Sequence, residues 1–318
     1  MTQRIGFIGI GLMGHGMAKN LLEKGFPVTT TAHRNRAPLE DLLSRGAREA
    51  ASFKEIAERS DILFICVTGA PQVESVVYGE NGVLAGCHPG LIVVDCSTSE
   101  PAMTERVNAD LTDQGVAMAD APLARTPIEA EAGRLNTMVG ASEETFAAIK
   151  PALETFCENI FHVGPVGAGH KTKLINNFMA MGQAALIAEA LCACAATGVD
   201  LRRYYEVVSA GGANSGIFQL IVPKAMDEGD FSGLKFSLAN AEKDLRYYTR
   251  MTDQASLSNR LGQAVHGALA QGLELGPSDG YVGHLIRAQE KLNHLTIIET
   301  ESSTGNGGES ALLSAAGP

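Results

Sequence analysis

Residues 4–21 read RIGFIGIGLMGHGMAKNL, and this stretch decides the fold. The apolar run from Arg4 to Gly9 predicts a short buried β-strand. The apolar spacing from about Met13 to Lys24 predicts an amphipathic helix that ends at Gly25. A buried strand followed at once by a helix is typical of an alternating β-α architecture.

Glycines in the spacing G-x-G-x-x-G separate that strand from that helix, at Gly9, Gly11 and Gly14. In a dinucleotide-binding turn the first glycine permits the tight turn, the second lets the backbone approach a pyrophosphate, and the third allows close packing of helix on strand. The helix N-terminus also attracts negative charge. Because both flanking elements are present, the motif favours a cofactor bound by these glycines, Leu12 and Met13 over a purely structural turn.

Apolar segments alternate with helical patterns as far as about residue 164. The predicted strands lie at Val28–Ala32, Asp61–Val67, Leu91–Asp95, Val116–Ala119, Asn136–Val139 and Asn159–His162, and the predicted helices at Pro38–Arg45, Met103–Gln114 and Glu143–Thr155. Such alternation is typical of a parallel sheet with helices on both faces. The predicted fold class is therefore α/β, a Rossmann-type doubly wound sheet domain followed by an all-helical domain.

The chain changes character after the glycines at 164, 167 and 169. Lys171 to Thr197 is one long helical pattern rich in apolar residues, and further helical patterns follow without a convincing strand. We predict a dinucleotide-binding domain over residues 1–164 and a helical domain for substrate binding and dimerisation over residues 165–299. Residues 300–318, which include the stretch SSTGNGGES, are predicted to form a flexible tail.

Composition narrows the class of protein. A net charge of −11 without any Lys/Arg-rich run argues against nucleic acid as a partner. The six cysteines lack the spacing of a zinc site or a disulfide framework, which indicates buried thiols in a reducing compartment. The sequence shows neither a secretory signal pattern nor an uninterrupted apolar run long enough to span a membrane, so we expect a cytoplasmic protein without a membrane partner.

The residues after the second predicted strand bear on the choice of cofactor. NAD-preferring sites usually carry an acid there that binds the ribose 2′-hydroxyl. This sequence instead has His33, Arg34, Asn35 and Arg36, and guanidinium groups suit a 2′-phosphate. We predict NADP(H), with NAD(H) as the alternative, bound by the first three of these residues and by Val67 at the end of the third strand; the other reading is that the arginines are solvated loop residues.

The stretch GPVGAGHKTKLINN at 164–177 is the second informative segment. On a helix, Lys173 and Asn177 are four positions apart and share a face. The lysine can donate a proton to the alkoxide that forms as hydride reaches an aldehyde, while the amide holds the substrate. This pair suits the interconversion of an aldehyde and a hydroxyacid, although a lysine at such a spacing is often a surface residue.

Four stretches together resemble the β-hydroxyacid dehydrogenase family, which includes 3-hydroxyisobutyrate dehydrogenase, tartronate semialdehyde reductase and sulfolactaldehyde reductase. They are GFIGIGLMGHGMAKNL at 6–21, DCSTSEP at 95–101, GAGHKTKLINN at 167–177 and AEKDL at 241–245, and the resemblance extends over about residues 4–295. It implies that Lys173 is the catalytic lysine and that Asn177 orients the substrate. It further implies that Ser97 and Thr98 lie beside the nicotinamide and the substrate, and that Lys243 closes over the cofactor, with Asp244 in a supporting role only.

One departure from the family pattern concerns the substrate. Residues 120–126 read DAPLART, whereas most of the family resembles D-A-P-V-S-G-G, whose small residues bind a carboxylate through backbone N–H groups. Ala124, Arg125 and Thr126 stand in place of that Ser-Gly-Gly and resemble the Gly-Arg-Thr of sulfolactaldehyde reductases. A guanidinium pairs well with a carboxylate, sulfonate or phosphate. We predict a small substrate with a terminal acid group; the alternative is that Arg125 bonds the backbone or an acidic neighbour such as Glu129.

The predicted function is thus NAD(P)-dependent hydride transfer between a small anionic semialdehyde and its β-hydroxyacid, in a homodimer or homotetramer. The alternatives are an imine reductase-like enzyme or a non-catalytic nucleotide-binding module, and the presence of Lys173 counts against both. No metal is predicted, because hydride transfer with a lysine acid needs none. Two histidines stay outside this scheme: His15 is interpreted as structural, with a position facing the cofactor as the alternative, and His170 either touches the substrate or caps the start of a helix.

Overall fold

A computed structural model describes residues 2–32 and 34–299. These residues form two compact units. The first takes the described residues within Met1–Met179 and Lys243–Gln263, and the second those within Ala180–Glu242 and Ala264–Pro318. The predicted boundary near residue 164 is a different division of the chain and stays a prediction, and the predicted tail, residues 300–318, lies outside the described residues.

Nine strands form the sheet of the first unit. They are β1 Ile5–Ile8, β2 Val28–Thr30, β3 Arg48–Glu49, β4 Ile62–Ile65, β5 Ile92–Asp95, β6 Ala117–Asp120, β7 Leu123–Ala124, β8 Leu135–Gly140 and β9 Cys157–Gly164. The helices of the described residues are α1 Gly14–Glu23, α2 Ala37–Ser44, α3 Phe53–Glu58, α4 Ala70–Tyr78, α5 Pro101–Thr112, α6 Pro127–Glu131, α7 Glu143–Leu153, α8 Ala168–Thr197, α9 Leu201–Ala210, α10 Gly216–Glu228, α11 Leu238–Gln254, α12 Arg260–Leu275 and α13 Leu285–Asn293. Short 3-10 turns occur at Val83–Gly86 and Val282–His284.

The strand order is β3-β2-β1-β4-β5-β6-β8-β7, and β9 pairs with β8. From β3 to β6 every pair is parallel, with Ile5 opposite both Val28 and Ile62. The expectation of a wholly parallel sheet is wrong beyond β6, because β8 runs antiparallel to β6 and β7. The chain reverses there directly through β7 and α6 instead of crossing back over the sheet. The carboxyl ends of β1, β4, β5 and β6 therefore share one edge.

Helices cover both faces of this sheet, as the fold class predicted. Successive strand residues point to opposite faces. Phe7 and Phe64 accordingly pack in one buried cluster with α1, α2 and α7, whereas Ile8 and Ile65 pack in another with α3, α4 and α5. Burying each strand on both sides holds its carboxyl end in a fixed position, and that edge carries the candidate site.

The second unit is helical, as predicted. Its described residues show a single isolated β-bridge, between Ser237 and Tyr281.

One helix, α8, is long and apolar enough by length and composition to cross a membrane, with a mean hydropathy of 1.6 over 18 residues. Gln183 and Glu189 interrupt the apolar sequence of this helix, so α8 contains no uninterrupted run of apolar residues long enough to span a membrane. Core helices of soluble proteins have the same length and composition, and this finding alone does not indicate a membrane.

Candidate functional site

The residues of the candidate site all belong to the first unit, and the glycine turn after β1 is its first part. Gly9 has a φ of +98°, and a β-carbon there would clash with the carbonyl oxygen of Cys66. A β-carbon on Gly14 would clash with the carbonyl oxygen of Gly9, whereas one on Gly11 would meet nothing within 4 Å. Two of the glycines thus permit close packing, and the third leaves open space beside the N-terminus of α1, where a pyrophosphate can bind. The neighbouring Leu12 is exposed and Met13 half-buried.

The loop after β2 presents one guanidinium without a partner among residues 2–32 and 34–299. Arg36 makes a bidentate pair with Glu49, at 2.8 and 3.1 Å, and the Asn35 side chain accepts a hydrogen bond from the backbone of Ala37 at 3.1 Å. Arg34 is exposed and makes no ion pair or side-chain hydrogen bond there. His33 lies outside the described residues. Of the two arginines, Arg34 is therefore the one available for a phosphate.

Lys243 connects the loops that follow β4 and β5. Its Nζ donates a hydrogen bond to the carbonyl oxygen of Thr68 and another, at 3.5 Å, to that of Thr98. The backbone N–H of Val67 donates to Ser97 Oγ at 3.0 Å. The structure thus brings together four predicted site residues: Ser97 and Thr98, which were predicted beside the nicotinamide, and Val67 and Lys243, which were predicted to bind the cofactor.

Lys173 lies on the second turn of α8 and is 9 % exposed. Burial lowers the pKa of its ammonium below the ordinary lysine value; the carboxylate of Asp244 opposes that shift, and the charge of Lys243 adds to it. The side chain makes no hydrogen bond or ion pair with any residue that the structure describes. A buried amine of this kind is poised for proton transfer, because its pKa is closer to neutral pH.

Asn177 shares the helix face of Lys173 and is fixed by Asp244. The Asn177 Nδ2 group donates a 2.7 Å hydrogen bond to Asp244 Oδ2. Asp244 Oδ1 lies 3.2 Å from Lys243 Nζ, an ion pair without hydrogen-bond geometry, and makes no hydrogen bond. The resemblance implied only a supporting role for Asp244, but its buried carboxylate contacts two predicted site residues and raises the pKa of a third, Lys173.

Asp120, at the end of β6, fixes the start of α8. Its two carboxylate oxygens accept hydrogen bonds from the backbone N–H groups of Gly167 and His170, each at 2.6 Å. Burial is the largest effect on the carboxyl and raises its pKa, while His170 and these two hydrogen bonds oppose that shift. A carboxylate distant in sequence thus performs the task of an N-cap.

The His170 side chain is fully buried between Asp120 and the loop after β5. Its Nε2 lies 3.0 Å from the carbonyl oxygen of Ser97, which can only accept, so this nitrogen donates. Its Nδ1 lies 2.7 Å from Thr104 Oγ1, and the Ser97 backbone N–H donates to Asp95 Oδ1 at 2.9 Å. His170 therefore links the helix of Lys173 to the loop of Ser97. Capping of the helix start, one of the two roles considered for His170, is performed by Asp120.

The segment after β6 carries the residues predicted to bind the substrate's acid group. Ala124 belongs to β7 and pairs with β8. Thr126 is the N-cap residue of α6 and forms a capping box with Glu129. Arg125 has a φ of +83°, and its Nη1 donates to the carboxylate of Glu158 and to the carbonyl oxygen of Arg134. The backbone and acidic contacts considered as an alternative for Arg125 are thus present, but the acid is Glu158 and not Glu129.

His15 has two acidic partners, Glu131 at 2.7 Å and Asp41 at 3.0 Å, in agreement with its structural interpretation.

Within residues 2–32 and 34–299 no group of three His, Cys, Asp or Glu residues has the arrangement of a metal site. All six cysteines are free thiols, four of them buried and two half-buried. Burial raises the pKa of the Cys66 thiol to about 12, so it is protonated at neutral pH.

Two family models match the chain. Residues 4–164 match the NAD binding domain of 6-phosphogluconate dehydrogenase, and residues 167–287 match the NAD-binding domain of NADP-dependent 3-hydroxyisobutyrate dehydrogenase. The 2-(hydroxymethyl)glutarate dehydrogenase of Eubacterium barkeri is 35 % identical over 76 % of this chain and 80 % of its own. The 3-sulfolactaldehyde reductase of Escherichia coli is 31 % identical over 86 % of this chain and 91 % of its own.

Among solved structures, Psf3 in complex with NADP+ and 2-OPP is similar with a TM-score of 0.75. It is 26 % identical, and the similarity covers 89 % of this chain and 99 % of that chain. The similarity therefore extends beyond the glycine turn to the segments that carry Lys173, Asn177 and Lys243.

Proposed function

The chain belongs to the β-hydroxyacid dehydrogenase family and is an NAD(P)-dependent oxidoreductase. From this premise we propose that it interconverts a small aldehyde bearing an acid group and the corresponding β-hydroxyacid, with Lys173 as the general acid and base. The observation that carries the proposal is the buried Lys173 ammonium, with its lowered pKa, on the same helix face as an Asn177 amide that Asp244 orients.

In the reducing direction, Lys173 Nζ donates a proton to the carbonyl oxygen of the aldehyde as negative charge develops there. In the oxidising direction, the neutral amine accepts the hydroxyl proton. The nicotinamide, when bound, supplies or takes up the hydride. Burial of Lys173 excludes water from the proton transfer, and the nearby Asp244 carboxylate favours the charged form that must exist before reduction.

The substrate contacts proposed here are those of Ser97, Ala124, Arg125, Thr126 and Asn177. The amide of Asn177 and the hydroxyl of Ser97 offer hydrogen bonds to the reacting end of the substrate. The other three residues lie beyond β6, where Arg125 supplies the one charged donor for the terminal acid group. In this proposal the substrate is a short molecule with the reacting carbon at one end and the terminal acid group at the other.

The cofactor would be held by the loops after β1, β2, β4 and β5. The proposed contacts are Gly9, Gly11, Leu12, Met13, Gly14, His33, Arg34, Asn35, Val67, Thr98 and Lys243. We favour NADP(H) over NAD(H), because the exposed Arg34 guanidinium suits a 2′-phosphate and no acid stands in the described part of that loop. We further propose a cytoplasmic homodimer or homotetramer.

Replacing Lys173 tests the proposal. In Lys173→Ala we expect turnover to fall by about a thousandfold or more, because the general acid is lost, while NADPH still binds. Lys171→Ala is the matched control, since Lys171 is exposed on the same turn and its one ionic partner in the described part of the chain is Glu105, at 2.8 Å. The assay follows oxidation of NADPH with succinic, tartronate and methylmalonate semialdehydes and with sulfolactaldehyde.

Turnover by Lys173→Ala equal to that of Lys171→Ala would refute the role of Lys173. Tight NADPH binding without turnover of any of these aldehydes would refute the substrate class. Turnover that requires an added amine would show imine reduction instead.

A further inference from the structure

Arg125 occupies a backbone conformation that side chains rarely adopt. Its φ of +83° lies in the left-handed region, which favours glycine. The family pattern has glycine at this position, and this chain keeps the glycine-like backbone while carrying an arginine. Strained residues of this kind persist where the surroundings hold them and often mark functional sites.

Only one nitrogen of the Arg125 guanidinium makes hydrogen bonds with described residues. Its Nη1 atom makes both contacts, one to the Glu158 carboxylate and one to the Arg134 carbonyl oxygen. The Nη2 and Nε groups make no hydrogen bond with any residue in the described part of the chain. The Arg125 side chain is 32 % exposed and that of Glu158 49 % exposed, so a small anion can reach both. Two donors on one edge of the fork remain open for a second acid group.

We propose that Glu158 determines specificity by competing with the substrate's terminal acid for Arg125. This inference rests on the proposed function, in which Arg125 binds that acid. In the free enzyme the Glu158 carboxylate neutralises the guanidinium. An incoming acid must displace Glu158 or bind beside it, and in both cases the negative charge of Glu158 opposes binding.

The competition favours a particular chemistry in the substrate. A carboxylate or sulfonate with two oxygens in one plane can take Nη2 and Nε together, which a single oxygen cannot. A neutral aldehyde gains nothing from Arg125 and loses nothing to Glu158. The pair thus selects substrates by the geometry of the terminal acid as well as by its charge.

Steady-state kinetics of Glu158→Gln with succinic semialdehyde and with butanal, its neutral analogue of equal chain length, test this proposal. We expect the KM for succinic semialdehyde to fall about twofold to fivefold, the range set by a partly exposed ion pair, and the KM for butanal to stay unchanged. Glu154→Gln is the matched control, because it removes the same charge from an exposed residue whose partner is Lys150, at 3.7 Å. It should change neither KM.

Arg125→Gly provides the second arm. It restores the residue suited to the left-handed backbone, so the melting temperature should not fall, while the KM for succinic semialdehyde should rise about tenfold or more. Adding Glu158→Gln to Arg125→Gly should then leave the KM for succinic semialdehyde unchanged, because the guanidinium for which Glu158 and the substrate compete is absent.

An unchanged or raised KM for succinic semialdehyde in Glu158→Gln would overturn the competition, and a raised value would make Glu158 a residue that orients Arg125. An equal fall in the KM for butanal would also overturn it. Absence of turnover of all four acid-bearing aldehydes by the unaltered protein would contradict the proposed function, and with it this inference; if another of the four is turned over in place of succinic semialdehyde, the same comparison uses that aldehyde. Turnover that depends on Lys173 but not on Glu158 overturns the inference alone.

Discussion

The proposed cofactor half of the site, formed by the loops after β1, β2, β4 and β5, differs in construction from the proposed substrate half, formed by the segment after β6 and the first turns of α8. The cofactor half is shaped by backbone: at Gly9 and Gly14 a β-carbon does not fit. The substrate half is positioned by buried charges, since Asp120 holds the start of α8 and Asp244 holds Asn177. A larger side chain should therefore disrupt the cofactor half, whereas a changed charge should disrupt the substrate half.

Gly9→Ala is the change with the largest expected effect on stability. The new methyl group would clash with the Cys66 carbonyl and require a left-handed backbone from alanine. We expect the free energy of unfolding to fall by about 3 kcal/mol or more, measured by urea denaturation.

Gly11→Ala sharpens this contrast, because its methyl group meets nothing within 4 Å. It should leave the free energy of unfolding within about 1 kcal/mol of the unaltered protein and weaken NADPH binding alone. Equal losses of stability in the two variants would contradict a turn held by close packing at Gly9.

Arg34→Glu should have the next largest effect, on the choice of cofactor. It places a negative charge beside the proposed 2′-phosphate, so the Kd for NADPH should rise about tenfold or more and that for NADH much less. Fluorescence titration measures both constants. Arg36→Glu is the control, since Arg36 is already paired with Glu49, at 2.8 Å. Equal losses for the two cofactors in Arg34→Glu would exclude phosphate binding by this residue.

Local patterns in the sequence were sufficient to predict the elements that carry the proposed cofactor site. The spacing of Gly9, Gly11 and Gly14 and the periodicity after them correctly predicted β1 and α1. Several elements left unpredicted are short, such as β7 with two residues and α6 with five, and such lengths show no periodicity; α4, with nine residues, was missed as well. The reversal after β6 depends on these short elements, which is why the sheet was expected to be wholly parallel.

The same limit applies to the site. Lys173 and Asn177 were found together because they lie four positions apart on one helix. Asp120, His170 and Asp244 act through partners 47 to 73 positions away, and no local spacing reveals such contacts. The one available signal was polar residues at the ends of apolar strands, such as Asp120 at the end of β6. Long-range hydrogen bonds of buried charges require the fold itself.

The pH dependence of kcat/KM for aldehyde reduction tests the role of Lys173 most directly, because this ratio reports groups of the free enzyme. The ammonium is the proton donor, so the rate should fall as pH rises through the pKa of Lys173, with a midpoint below the ordinary lysine value. The Asp244 carboxylate raises that pKa, so Asp244→Asn should move the midpoint to lower pH. Glu105→Gln, a charge removed at the exposed partner of Lys171, should leave it in place. A midpoint that Asp244→Asn does not move, or one at the ordinary lysine value, would contradict a buried Lys173 as the proton donor.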